Sequence, residues 1–396
     1  MAIVSAKEVI GIGRQADIAT VTTEFNAVPV DSGSFSASET YEQILDTGRR
    51  GTDALDFNAY QGVGSTEISF DFPMMWGAGA GANNTGSVLG ILLRNILGSG
   101  APTNTSDPSS VSSAEQRASC RTEQTGTDKT AFNTFFRLGD TKEYLSIARN
   151  LIGSNDHSYL GCRVSELTIS SNAGEGAVTV SATLTGQTAS VGASKTIYTD
   201  STLSSDVALG YQNVFAGTTP YSPIVFGTVL YNSTLSNALN RIISFDLTLT
   251  RESTPLYTMS NSKTYNDLYL GPLAVTWNAV LEVDNTEMAL IRAGTAIDTA
   301  GSKKTSIAFS KGTINDNSEK SLVIAMSASS PFESPMEIDT SGAYSTLAIS
   351  GRALTTNAAM PISADDYDNA SDTNRSPIEI QITESGHNTS TPPTYV

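Results

Sequence analysis

VSELTIS, residues 164–170, and AVTVSATLTG, residues 177–186, decide the fold class. Leu167 and Ile169 alternate with Glu166, Thr168 and Ser170. Val178, Val180, Ala182 and Leu184 alternate with Thr179, Ser181, Thr183 and Thr185. Successive side chains of a strand point to opposite faces, so each stretch buries one side and presents hydroxyls or a carboxylate on the other. That is the pattern of an antiparallel sheet with one dry face.

The same period recurs along the chain. In TEISFDF, residues 66–72, Ile68, Phe70 and Phe72 oppose Glu67, Ser69 and Asp71. ISFDLTLT at 243–250, AVTWNAVLEV at 274–283 and PIEIQIT at 377–383 repeat it. Helical spacing is rare. Three short helices are expected: Ser87–Leu97, Lys142–Leu151 and Asn285–Ala293, the last with Asn285 as N-cap. The expected class is therefore all-β with a few short helices.

Composition agrees. The 396 residues are 39% hydrophobic and only 16% charged, and Ser, Thr, Asn and Gly fill the difference. Net charge is −17. Residues 1–200 hold 13 basic and 21 acidic side chains and residues 201–396 hold 10 and 19, giving −8 and −9. Acidity spread this evenly excludes binding to nucleic acid through its phosphates, which needs a basic footprint. Two cysteines, Cys120 and Cys162, make no disulfide framework and read as reduced thiols. No signal peptide is visible at the start, and VLGILLRNIL at 88–97 is too short to span a bilayer.

Motifs for chemistry are scarce. GIGRQA at 11–16 has the spacing of a dinucleotide loop, with Asp31 twenty residues beyond Gly11. Its context is wrong, because the β-branched run Thr20–Thr23 and then Pro29 and Gly33 preclude the helix that must follow. His157, in an expected turn, and His387 are isolated and make no zinc site. ADDYDNASD at 364–372 could bind calcium through Asp365, Asp366, Asp368 and Asp372, but lacks the glycine and distal glutamate of a helix-loop-helix site. The stretch 36–65 is long for a connection and carries Tyr41, Ile44, Leu45, Leu55, Phe57 and Tyr60. It reads either as a hairpin packed on its own domain or as an arm that buries these side chains on a neighbouring subunit, with Arg49 and Arg50 at its tip facing an acidic surface.

An internal repeat is visible, and two alignments compete. One matches AVTVSATLT at 177 with AVTWNAVLE at 274 and ELTIS at 166 with DLTLT at 246. The other matches strand-then-helix order, TEISFDF followed by SVLGILLRNIL against AVTWNAVLEV followed by NTEMALIRAG, and is preferred because element order agrees as well as letters. The join falls within 188–220.

These segments resemble the major tail tube proteins of long-tailed phages with non-contractile tails. GIGRQADIATVTTEFNAVPVDSGSFS at 11–36 is similar to that family's opening, which makes the glycine stretch an ordered N-terminal arm. The hairpin 36–65 resembles the family's extended loop, and YLGCRVSELTISSNAGEGAVTVSATLTG at 159–186 a paired-strand segment of its longer members. The resemblance implies two tandem β-sandwich or barrel domains, 1–200 and 201–396, with a flexible tail from about 385, that contribute strands to a shared ring barrel. It implies a structural virion protein, made in the host cytoplasm, with no catalytic residue, cofactor or membrane. It further implies trimeric rings of pseudo-sixfold symmetry stacked into a tube, with hexamers of a single tube domain as the alternative. Partners implied are other copies, the tape measure, terminator and distal tail proteins, and DNA that passes without specific binding. Glu67, Asp71, Glu166, Asp246 and Glu282 are the lumen-facing candidates, the alternative for each being the outer wall. Tyr41, Ile44, Leu45, Arg49, Arg50, Leu55, Phe57 and Tyr60 are the inter-ring candidates. The competing class is a surface β-sandwich that binds carbohydrate or a receptor, which would need exposed aromatics in a groove.

Overall fold

The computed structural model describes residues 8–15, 17–18, 22, 24–46, 58–74, 76–77, 86–99, 103–105, 120–125, 131–150, 156–172, 178–192, 196–198, 211–212, 242–259, 264–283, 303–311, 320–329, 338–355 and 376–385. In chain order its first elements are β1 (Val9–Gln15), β2 (Glu24–Val28), β3 (Ser36–Asp46), β4 (Asn58–Pro73), β5 (Trp76–Gly77), α1 (Val88–Leu97), β6 (Thr103–Thr105), β7 (Cys120–Thr125) and β8 (Ala131–Arg137). Then come β9 (Tyr144–Asn150), β10 (Asp156–Asn172), β11 (Val178–Gly186), β12 (Ser190–Gly192), β13 (Thr196–Tyr198), β14 (Tyr211–Gln212), β15 (Ile242–Thr250), β16 (Ser253–Leu256) and β17 (Asp267–Leu270). The last are β18 (Ala274–Glu282), β19 (Lys303–Lys311), β20 (Lys320–Ser329), β21 (Ile338–Asp339), β22 (Thr346–Arg352) and β23 (Glu379–Ser385). The protein is predominantly β, and α1 is the only helix among the described residues.

Strand β10 organises the larger sheet. Its second half joins eight strands in the order β3-β4-β11-β10-β15-β18-β22-β21, all along antiparallel ladders. Its first half pairs instead with β9 and β12, and β9 leads on to β1, β2 and β13. The change of partners occurs at a register shift between Tyr159 and Cys162. There Gly161 takes φ +60°, and its N–H donates to the Gln15 side-chain oxygen 2.9 Å away. A bulged glycine bends and twists a strand, and here it lets one strand serve two neighbouring surfaces.

The second sheet has the order β19-β20-β23-β8-β7-β6. One continuous core lies between the sheets. It joins Phe70, Leu167, Leu247 and Trp277 of the larger sheet to Phe136, Phe309, Ile324 and Ile380 of the smaller one. The rings of Phe245 on β15 and Phe309 on β19 meet across it at 6.3 Å between centroids. Helix α1 is buried along its whole length and touches both β10 and β8. Ser87 caps its start, accepting from the Gly90 N–H at 3.2 Å, and Gly98 at φ +69° ends it.

Several expectations change. Residues 142–151 do not form a helix: Tyr144–Asn150 is β9, because its pairing with β1 and β10 and the burial of Tyr144–Ala148 outweigh the local helical spacing. His157 is not in a turn but in β10, paired with Arg149 and Val191. GIGRQ, read as part of an ordered N-terminal arm rather than a phosphate loop, is strand β1, bonded on both edges. Ile10 and Ile12 enter the core, while Gly11 and Gly13 share a close-packed face with Ala27, Ala148 and Ser146. The expected helix 285–293, the acidic run 364–372 and His387 lie outside the described residues.

Candidate functional site

The feature that stands apart is the outer face of the eight-stranded sheet. Residues paired directly across antiparallel strands share a face. One row runs Asp71, Ser181, Thr168, Thr248, Thr276 and Arg352 across β4, β11, β10, β15, β18 and β22. A second row runs Ser69, Thr183, Glu166 and Thr250, and a third Thr179, Ser170, Asp246, Asn278 and Ser350. Glu67 sits opposite Thr185, and Glu282 opposite Thr346. All five acidic candidates, Glu67, Asp71, Glu166, Asp246 and Glu282, therefore lie on one face of one sheet. The opposite face of the same strands is the core, with Ile68, Leu167, Ile169, Val180, Leu247, Leu249 and Trp277 buried.

The face is polar but poor in cations. Hydroxyls separate its carboxylates, and Thr168 and Thr248 share a hydrogen bond at 3.2 Å between their Oγ1 atoms. Glu67 and Glu166 are exposed, and Asp71, Asp246 and Glu282 half-buried. Burial in the sheet raises the Asp246 carboxyl above the ordinary aspartate range. Asp31, beside Asp71, is raised too, first by burial and then by the Asp71 charge. Arg352, on β22 at the far side of the sheet, is a basic member that sequence reading missed. The alternation in TLAISGR shows which face it takes, once that stretch is known to be a strand.

The two edges of this sheet are unlike. On one side β3 pairs, among the described residues, only with β4 along its eleven residues. On the other, β21 covers β22 at Leu347 and Thr346, and among the described residues no strand follows beside Ala348–Arg352 on that side. A further strand could add at either edge.

The hairpin expected at 36–65 is present as β3 and β4. Its outer part, 40–46 against 58–65, reaches past the end of β11, which pairs with β4 only over 66–73. Tyr41, Ile44, Leu45 and Tyr60 are all exposed on it. Arg49, Arg50, Leu55 and Phe57 lie outside the described residues. Gly64 lets the hairpin close, because a Cβ there would sit 2.7 Å from the Tyr41 ring.

A buried polar belt anchors the rim from which this hairpin leaves. Glu143 accepts from Arg94 of α1 at 2.6 Å and from Arg14 of β1 at 3.0 Å. Asn95 donates to the Glu143 carbonyl and accepts from the Val164 N–H. Arg251 donates to the Ile96 carbonyl at the end of α1. Nearby, Asp267 accepts from Lys142 and from the Tyr144 hydroxyl. Burial pulls the Asp267 carboxyl up, but these hydrogen bonds outweigh it and hold it below its ordinary range. Sequence reading found none of these links, since Arg94 and Glu143 are ordinary charged letters until the fold brings them together.

Trp277, which a glycan-binding surface could have used for stacking, is buried in the core against Gly351. Cys162 is a buried free thiol, raised far above its ordinary range by that burial. Among the described residues no helix is long and apolar enough to cross a membrane. Comparison with known proteins gives no family model that matches the sequence and no match among curated proteins.

Proposed function

We propose that this chain is the structural subunit of a phage tail tube, assembling into stacked rings whose channel conducts DNA. One observation carries the reading: a single eight-stranded sheet has a dry inner face, an outer face of hydroxyls and carboxylates, and, among the described residues, two unlike edge strands. Unlike edges that pair between copies make a heterologous contact, and a heterologous contact that closes makes a ring. Pairing β3 of one copy with β22 of the next removes both edges and continues the sheet into a barrel.

Three copies of such a sheet form the proposed ring, each chain supplying two four-stranded portions, β3-β4-β11-β10 and β15-β18-β22-β21. The polar face then lines the channel. Glu67, Asp71, Glu166, Asp246 and Glu282 repel phosphates, and the intervening hydroxyls offer no cations whose contacts would release counterions from DNA. The arm formed by β3 and β4 projects from one rim and carries Tyr41, Ile44, Leu45 and Tyr60 to the adjacent ring.

Electron microscopy of the purified protein, with light scattering on the same sample, tests this. Rings or tubes with a central channel and three chains per ring are expected. Six chains per ring would keep the function and remove the two-domain count, and a monomer at high concentration, alone and with tail initiator, would refute assembly.

A further inference from the structure

A second hairpin, β16–β17, has no role so far. It lies between β15 and β18 and projects from the same end of the sheet as the β3–β4 arm, where the Tyr257 hydroxyl meets the Gly64 carbonyl. Its inner side is tied down. Leu268 and Tyr265 are buried, the Tyr265 hydroxyl donates to the Gly161 carbonyl at 3.0 Å, and Gln187 donates to the Tyr265 carbonyl at 2.9 Å. Arg163 donates to the Leu268 carbonyl and Arg251 to that of Gly271. Its outer side carries Leu256, Met259 and Tyr269, all exposed, Met259 fully.

An anchored hairpin that presents exposed apolar side chains, with the Lys142 ammonium 4.6 Å over the Tyr269 ring, is the kind of surface that marks a contact site. The chain itself exposes further apolar side chains at the other end of β18. That strand starts just after β17 and ends at Glu282, beside Thr346. There the Val283 N–H bonds the Ser345 carbonyl, and Ile338 and Tyr344 stand exposed. Exposed apolar groups thus occupy both ends of one strand axis. The two ends differ in residues and shape, so contact between them is head-to-tail and propagates along the strand direction.

We propose that β16–β17 docks through Leu256, Met259 and Tyr269 onto the 338–345 turn of a second copy, making a second stacking contact beside the β3–β4 arm. The inference rests on the stacked assembly above. It gives both halves of the chain an arm, so neighbouring rings are gripped at two points per subunit.

Two measurements test it. Met259→Asp should raise the concentration needed for assembly by about tenfold to a hundredfold, the equivalent of one buried methionine per contact, with an unchanged circular dichroism spectrum. Met259→Cys mixed with Tyr344→Cys should cross-link through a short bis-maleimide into intermolecular products that neither variant gives alone. Wild-type tubes whose Met259→Asp form assembles at the same concentration, and whose cysteine pair does not cross-link, overturn the second contact and leave the tube reading standing. A wild type that never assembles overturns both.

Discussion

Arg137 on β8 and Glu379 on β23 form an ion pair that is almost wholly out of water, their side chains 1% and 0% exposed. The two residues are 242 positions apart and stand directly opposite each other in the smaller sheet. Replacing one partner strands the other. Glu379→Gln keeps the volume but leaves the guanidinium without its counter-charge, and breaking a buried pair in this way costs about 3–5 kcal/mol. Replacing both, as Arg137→Met with Glu379→Leu, removes the desolvation penalty together with the attraction and is expected near neutral, or stabilising by as much as about 4 kcal/mol. Urea unfolding followed by tryptophan fluorescence and circular dichroism measures both. A second outcome is diagnostic of organisation. Because β8 and β23 come from the two halves of the chain, Glu379→Gln should move one cooperative transition seen identically by both probes. A loss below about 1 kcal/mol, the range of a solvent-exposed pair, would falsify the buried placement. Two transitions of which only one moves would refute a shared fold for the halves.

Three further outcomes follow from the same geometry. Gly351→Ala should cost about 1–3 kcal/mol by thermal or urea unfolding, because its Cβ would lie 2.9 Å from the buried Trp277 indole, which has no room to retreat. Asp246→Asn should stabilise the chain at neutral pH: burial raises the folded carboxyl, so its charged form opposes folding, and the gain should fade as pH falls through the raised folded value toward about 4 and be absent below it, where the unfolded aspartate is also protonated. A gain that persists at pH 3 would contradict this. Glu166→Lys with Asp246→Lys should leave assembly intact yet make tubes retain double-stranded DNA at low salt and release it at high salt, since cations on that face exchange condensed counterions; wild-type tubes that retain DNA equally would sink the channel assignment.

Most of the sheet was legible because its alternation is strict. Phe70, Val180, Leu167, Leu247 and Trp277 all enter the core from strands that period two alone identifies. The five carboxylates could be grouped for the same reason, but their common face could not: period two assigns a side within one strand, and only register joins sides across strands. Residues 142–151 misled because KEYLSIARNL has local helical spacing, while its partners β1 and β10 are distant in sequence. GIGRQ reads as ordered, but its place between β2 and β9 was not legible, since Ala27 and Ala148, which pair with Gly11 on either side, are fixed only by register. The exposed residues of β16–β17 had no periodic signature to find, since four-residue strands are too short to show one.

Register also bears on the internal repeat. ELTIS and DLTLT lie antiparallel in the centre of the sheet, and their equivalent threonines, Thr168 and Thr248, are paired with each other. Glu166 faces Thr250 and Ser170 faces Asp246, so the pairing maps each five-residue unit onto the other about one point. Outward from that point each strand takes a partner of similar sequence, β11 on one side and β18 on the other. Thr168 opposes Ser181 while Thr248 opposes Thr276, although the letters equate Ser181 with Asn278. The slip is two residues, which preserves the face of every side chain; a slip of one would have put Val275 and Trp277 in water. This arrangement favours the alignment of ELTIS with DLTLT for these strands over the strand-then-helix match, whose second helix lies outside the described residues. The doubling does not extend to the outward edges. A sheet doubled about its centre would end in equivalent strands, and equivalent edges pair in closed dimers. Here one end is the eleven-residue β3 and the other β22 with the two-residue β21 beside it, and it is on that inequality that the proposed ring rests, since unlike edges pair head-to-tail.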